Sequence, residues 1–324
     1  MSVIRVCFLG TPEFAAIHLS SLIQDSHYEV VGVITQPDRP QGRKLKLTPS
    51  AVKILALANN IPVITSESLR KDEAALEQIK KWQAEVAIVV AFGQILSEEF
   101  LNSFPFGAVN VHGSLLPLWR GAAPIQRSLE AGDKVTGVAL QRMVKKLDAG
   151  PVLGIRKIDL DQTIKADELY KKLANLGTEL LQVELMDYLR GNLLPIEQDE
   201  TQVTIAKKIE KEESLISFLN LSALEIHNKV RAFVMGPGTY FVWNGQRVKI
   251  HTTKYVNENS QQPSGYISNV DEDSIWIQTT FGQLILLEIQ LESKAKMTVK
   301  NFLIAEKSKS SELELKWIKG NKIC

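Results

Sequence analysis

Apolar residues gather in short β-type runs through the first half of the chain: V-I-R-V-C-F-L (3–9), V-V-G-V-I (30–34), V-A-I-V-V-A (86–91) and G-A-V-N-V (107–111). Runs so nearly free of polar residues belong to strands buried on both faces. Between them, at 14–25, 49–60 and 67–82, the apolar positions change to helical spacing. The alternation predicts an open α/β domain, a mostly parallel sheet with helices on both faces. Ligands of such sheets bind at the carboxyl ends of the strands, which points to the residues just after Leu9, Ile34, Ala91 and Val111. A long helix predicted near 166–190 ends at Arg190-Gly191-Asn192, and the charged stretch from Glu197 to Ser214 reads as a connector.

In the second half a helical segment at 222–233 precedes short strands broken by turns, among them Y-F-V-W, R-V-K-I, S-I-W-I-Q-T and L-I-L-L-E-I. Asn244-Gly245 between two alternating runs is a hairpin signal, and the series predicts a small barrel or sandwich. The expected division is 1–190, a linker over 191–208, and a second domain over 209–324.

Composition narrows the classes. At 324 residues and 44% hydrophobic content the chain can bury two cores. A net charge of +1 gives no global basic field, so a nucleic-acid partner would be held by local patches. The tail, with Lys residues at 294, 296, 300, 307, 309, 316, 319 and 322 against Glu306, Glu312 and Glu314, reads as a solvated face. Two cysteines, Cys7 and Cys324, build neither a disulfide framework nor a Cys-type zinc site. Met1 leads straight into a strand, and no apolar stretch reaches the roughly 20 residues of a membrane span. A soluble, cytoplasmic protein is expected.

The candidate chemistry sits in A-V-N-V-H-G-S-L-L-P, where Asn110 and His112 are two apart and so share one face at a strand end. An amide donor, an imidazole and a close-approach turn at Gly113-Ser114 are what acyl transfer to an amine requires. Asp148 lies in K-K-L-D-A-G-P; taken alone, such an Asp serves a turn. The first loop, F-L-G-T-P-E-F, lacks the three-glycine dinucleotide signature, and no phosphate loop with Gly-Lys-Ser/Thr occurs, which argues against NAD and ATP. The loop T-Q-P-D-R-P-Q-G-R-K-L-K-L-T-P brings Arg39, Arg43, Lys44 and Lys46 beside the crevice, a set suited to gripping phosphates.

Together, F-L-G-T-P-E-F-A, T-Q-P-D-R-P-Q-G-R, N-V-H-G-S-L-L-P-L-W-R-G-A-A-P-I-Q-R and L-D-A-G-P resemble the methionyl-tRNA formyltransferase family in order and spacing. The likeness continues through P-I-E-Q-D-E-T-Q-V-T-I-A-K-K-I-E-K-E-E and more loosely to the end of the chain. It implies a Rossmann-like domain followed by an OB-like barrel that binds tRNA. It further implies 10-formyltetrahydrofolate as formyl donor, initiator methionyl-tRNA as acceptor, and neither a metal, a membrane nor an obligate protein partner. The family's catalytic trio maps onto Asn110, His112 and Asp148, with Asn110 and His112 suited to the developing oxyanion and Asp148 as organiser and proton acceptor. The pterin-like ring falls against Phe92, Gly93, Gln94, Ile95 and Leu96 and against Ser114, Leu115, Leu116 and Pro117. Arg39, Arg43, Lys44 and Lys46 match the insertion that enters the tRNA acceptor end, and Lys294 and Lys296 a second basic motif. Two departures stand out: the usual Met-Asp-x-Gly-Leu-Asp reads Met143-Val144-Lys145-Lys146-Leu147-Asp148, and Asn-Pro-Trp-Pro becomes Val234-Met235-Gly236-Pro237. The His-Gly-Ser-Leu-Leu-Pro core is also shared with formyltransferases acting on a sugar nucleotide or purine precursor. The W-R-G-A-A-P-I-Q run favours the tRNA enzyme, and the trio argues against a non-catalytic RNA-binding protein.

Overall fold

The computed structural model describes residues 3–41 and 45–307. Their contacts form two compact units: one comprises the chain through Pro124 with Val135–Asp159 and Tyr170–Ala206, the other Ile125–Lys134, Leu160–Leu169 and the chain from Lys207.

In the first unit seven strands form one sheet: β1 (Ile4–Gly10), β2 (Tyr28–Thr35), β3 (Val63–Thr65), β4 (Val86–Val90), β5 (Ala108–His112), β6 (Val135–Arg142) and β7 (Val152–Asp159). Their order is β7-β6-β5-β4-β1-β2-β3, parallel from β5 to β3, with β6 antiparallel to both of its neighbours. The parallel α/β domain expected from the apolar runs is present, and the runs correspond to β1, β2, β4 and β5. β3 has only three residues, and β6 mixes Thr136, Gln141 and Arg142 with its apolar residues, so neither forms a comparable run. The strand order reverses between β1 and β4, and the connections there leave in opposite directions, opening a crevice at the carboxyl ends.

The helices are α1 (Glu13–Gln24), α2 (Ala51–Ala58), α3 (Glu73–Lys81), α4 (Glu98–Leu101), α5 (Pro124–Ala131), α6 (Ala166–Gln182) and α7 (Glu184–Leu189). The single long helix predicted over 166–190 is thus two, interrupted at Val183. Alternate residues of the sheet, Cys7, Leu9, Ala87, Val89 and Ala108, bury against Trp82, Phe100 and Phe104. On the opposite face, Val111 of β5 meets α6 at Gly177, where an added Cβ would lie 2.9 Å from Val111 Cγ1 and 2.2 Å from His18 Nε2 of α1.

The second unit contains α8 (Ala223–Ala232), then β8 (Thr239–Trp243), β9 (Gln246–Val256), β10 (Ile267–Val270), β11 (Ile275–Gln278), β12 (Gln283–Leu291) and β13 (Met297–Thr298), and α9 (Val299–Lys307). All pairings are antiparallel in the order β8-β9-β12-β11-β10, with β13 added to β12, the sheet of a small OB-like barrel. Asn244 and Gly245 turn the first hairpin with φ of 48° and 75°, the left-handed pair that a two-residue turn demands. Register shifts after Ile250 and Thr252 bend β9 around a core in which Phe218 and Phe241 pack edge to face at 5.4 Å. Buried side chains of α8 hold the two earlier segments: His227 Nε2 donates to the Gln162 carbonyl at 2.8 Å, and Arg231 donates to the carbonyls of Asp161 and Leu129. Among the described residues no helix is long and apolar enough to cross a membrane.

Two outcomes follow for the packing under β5. Gly177→Ala is expected to cost about 1–3 kcal/mol through overpacking, read from the urea midpoint. His18 Nδ1–H donates to the Phe14 carbonyl at 2.7 Å while the buried Nε2 has no partner, and burial pulls its pKa down to about 4. Above its unfolded pKa of about 6.5 both states are neutral; below it the unfolded chain takes a proton that the folded one refuses. Stability is therefore expected to fall by about 1.4 kcal/mol per pH unit from pH 6.5 towards 4, and urea titrations should show a shallower decline in His18→Leu.

Candidate active site

Strand β5 carries Asn110 and His112 on the same side of the sheet, at the carboxyl end where the crevice opens. Its antiparallel neighbour β6 sets Gln141 opposite Asn110 and Ala139 opposite His112. Gln141 therefore points to the same side as Asn110, and its amide Nε2 reaches Asp148 Oδ1 at 3.1 Å. Asp148 sits in the loop joining β6 to β7, at a left-handed φ of 48°. Its other carboxylate oxygen accepts the Gly121 N–H at 2.9 Å. The three residues of the expected trio are thus brought to one place, all buried or nearly so.

His112 is oriented from both ends. Nε2 lies 2.9 Å from the Trp119 carbonyl; a carbonyl only accepts, so this nitrogen carries the hydrogen. Nδ1 then faces Asp148 Oδ1 at 3.7 Å. A neutral ring with its proton on Nε2 presents a lone pair to the carboxylate, and the pair attracts only when one of the two partners holds an additional proton. Asn110 differs: its amide has no hydrogen-bond partner among the described residues, which leaves its donors free for a ligand.

The loops expected to hold the carrier lie at the same edge. After β4, Phe92 is buried and its carbonyl accepts from Thr11 Oγ1 at 3.3 Å and Gln36 Nε2 at 2.9 Å, which ties the ends of β1, β2 and β4 together. Gly93, at φ 77°, has no room for a Cβ beside the Gln36 amide. Gln94 bridges outward to Ser66 and Leu69, Leu96 is buried, and Ile95 is 78% exposed and free to meet a ligand. After β5, the fully buried Ser114 gives its hydroxyl to the Leu118 carbonyl at 2.6 Å and so shapes the turn, while Leu115 and Pro117 remain half-buried and Leu116 is buried.

The basic positions scatter more widely. Arg39 and Lys46 stand at the two ends of a short hairpin that pairs Arg39–Gln41 with Lys46–Thr48; Arg39 lies 3.8 Å from Glu67 and Lys46 is exposed. Arg43 and Lys44 lie outside the described residues. In the second unit Lys294 and Lys296 follow β12, and Lys296 is paired with Glu288 at 2.9 Å.

Several residues around Asp148 escape a reading of the sequence. The stretch expected to be a linker runs along the Trp119–Ala122 segment: Arg120 N–H donates to the Thr204 carbonyl, Trp119 N–H to the Thr204 hydroxyl, and Ala122 N–H to the Ala206 carbonyl. Gln198 Nε2 donates to the backbone carbonyls of Asp148 at 2.9 Å and Gly150 at 2.6 Å. Its Oε1 accepts from the buried Arg120 guanidinium, which also grips Glu200 at 2.8 Å. Lys146, one of the departures from the family pattern, donates to the other Glu200 oxygen at 2.6 Å. These two cations hold the Glu200 carboxyl down to about 2, Arg120 contributing most. Nothing in the sequence marks either glutamine, since Gln141 and Gln198 stand 7 and 50 residues from Asp148.

A parallel sheet with an amide, an imidazole and a pinned carboxylate at its carboxyl edge is the frame of a group-transfer enzyme. The model of the formyl transferase family matches residues 4–185, and that of the formyl transferase C-terminal domain matches residues 208–307. The chain belongs to the formyl transferase family. Over 306 residues, 94% of this chain and 96% of the relative, it is 56% identical to the methionyl-tRNA formyltransferase of Bdellovibrio bacteriovorus. Among solved structures it resembles the N-formyltransferase of Helicobacter canadensis, solved with folinic acid and dTDP-3-aminofucose (TM-score 0.65, 18% identity, 91% of this chain and 100% of that one). It also resembles WlaRD, a sugar 3N-formyl transferase (TM-score 0.64, 20% identity, the same coverage). At these identities the two structures speak for the fold.

Ser114→Ala removes the hydroxyl bond that braces the turn after His112. A stability loss of about 1 kcal/mol is expected in chemical denaturation; no loss would mean that the turn is held by its backbone alone.

Proposed function

We propose that the chain transfers a formyl group from 10-formyltetrahydrofolate to the α-amino group of methionine on initiator tRNA, giving N-formylmethionyl-tRNA. The observation that carries this reading is the convergence of Asn110, His112 and Asp148 at one strand end, in a chain 56% identical over nearly its whole length to a methionyl-tRNA formyltransferase.

The chemistry follows from which groups are free and which are held. The methionine amine attacks the formyl carbon, and negative charge develops on the formyl oxygen. The uncommitted Asn110 amide is the donor suited to that oxyanion, placed in advance on a rigid strand. As the N–C bond forms, the amine nitrogen must lose a proton. The His112–Asp148 pair, which attracts only with a further proton between its members, is the acceptor. Gly121 and Gln141 keep the carboxylate in place throughout. When the bond from the formyl carbon to N10 breaks, the same pair returns a proton to N10, so the transfer balances with tetrahydrofolate as the second product.

The pterin-like ring of the carrier is assigned to the loops Phe92–Leu96 and Ser114–Pro117, where Ile95 offers an exposed apolar contact. Folate compounds named with the solved relatives, 5-N-formyl-THF and folinic acid, belong to the same ligand class. Arg39, Arg43, Lys44 and Lys46, with Lys294 and Lys296, are assigned to tRNA phosphates. The residues need no metal for this chemistry, and the setting is translation in the cytoplasm.

The test is transfer of labelled formyl from 10-formyltetrahydrofolate to Met-charged initiator tRNA, run beside a 4-amino sugar nucleotide. Product on the tRNA supports the reading; product on the sugar alone overturns the acceptor. In the same assay Asn110→Ala is expected to lower kcat by about 10²–10³-fold while tRNA binding persists. Lys46→Ala is expected to weaken tRNA binding and to reduce the slope of log affinity against log salt by about 1.

A further inference from the structure

Asp148 can serve the reaction only if its loop keeps a backbone shape that a residue with a Cβ does not readily adopt. The loop turns tightly over the end of β6: a Cβ on Gly150 would lie 1.7 Å from the Arg142 carbonyl oxygen. Gln198 holds its backbone from outside. The Gln198 amide donates to the carbonyls on either side of Ala149, those of Asp148 and Gly150, while its oxygen is held by the guanidinium of Arg120. Arg120 adjoins Gly121, whose N–H binds the Asp148 carboxylate. Gln198 therefore joins the two segments between which that carboxylate is held, and Glu200 adds a second tie through Lys146.

We propose that Gln198 is a positioning residue for Asp148: by clamping the 148–150 backbone to Arg120, it keeps the carboxylate between Gly121 N–H and His112. The inference rests on the formyl-transfer reading for its kinetic consequence and on geometry alone for its structural one. Gln198 need not touch either substrate. Glutamate at this position is the informative change, since it retains an acceptor for Arg120 but confronts the two carbonyls with oxygen in place of N–H.

The experiment compares the full chain with Gln198→Glu, alone and combined with Asp148→Ala. In the otherwise native background kcat is expected to fall by about 10²-fold, the scale of a misplacement near 1 Å. KM for folate and for Met-tRNA is expected to stay within about twofold. In the Asp148→Ala background the same substitution is expected to cost nothing further, because the group it positions is gone. An equal loss in both backgrounds, a raised KM with kcat intact, or an unchanged kcat would overturn the proposal. Amide hydrogen exchange of the peptide containing Gly121 gives a readout independent of the substrate: it should quicken in Gln198→Glu. If the native chain transfers no formyl group to Met-tRNA, the functional reading fails, and exchange alone then decides the clamp, with an unchanged rate counting against it.

Discussion

The contacts at the end of β5 depend on holding one buried carboxylate, that of Asp148, in a conformation its own backbone resists. A left-handed residue with a Cβ costs about 1–2 kcal/mol, and an ion taken out of water costs far more unless donors surround it. Here the donors come from three separate stretches of chain: Gln141 on β6, the Gly121 amide, and Gln198, which acts on the backbone beside it. Each is itself placed by something else. Gln141 is set by the pairing of β6 with β5, Gly121 by its parallel pairing with the 205–206 segment, and Gln198 by Arg120. The arrangement around Asp148 is accordingly a product of tertiary pairing.

That dependence separates what the sequence discloses from what it conceals. Buried parallel strands write themselves as apolar runs, so β1, β2, β4 and β5 and the crevice at their ends were legible. So was the pairing of Asn110 with His112 on one face, because a strand has a fixed period of two. The position of Asp148 beside His112 was legible only through resemblance, since an Asp before Ala-Gly-Pro carries no local mark beyond that of a turn. Gln141 and Gln198 were not legible at all. Their roles depend on an antiparallel register and on a contact across about 50 positions of chain, and neither leaves a periodic trace.

The stretch after Arg190 shows the same limit from another side. Its charge and lack of apolar periodicity read as a connector, yet Gln198, Thr204 and Ala206 bind along Trp119–Ala122 within the first unit. Polar sequence signals exposure only when its hydrogen bonds go to water; here many go to backbone groups of the turn after β5. Lys146 illustrates how a departure from a family pattern can be absorbed. A longer cationic side chain in place of glycine finds Glu200 already fixed by Arg120, and adds a tie without displacing one.

Within the second unit, burial works in place of charge to define the structure. His227 and Arg231 face backbone carbonyls of the 125–134 and 160–169 segments, and burial lowers the pKa of both. Neutral His227 therefore has one tautomer available: Nε2–H donates to Gln162, and Nδ1 accepts from the Thr253 hydroxyl. Such pairs contribute direction more than energy, since a carbonyl accepts along narrow angles and an unmet donor in the interior would cost about 1–3 kcal/mol. By contrast, Lys46 and Lys294 make no ion pair among the described residues and lie exposed. A chain with a net charge of +1 cannot attract a polyanion from a distance through its overall field. Lys296, by contrast, is held by Glu288 at 2.9 Å. A similar contrast holds beside β5, where the Asn110 amide is uncommitted while His112, Gln141 and Asp148 are bonded to their neighbours.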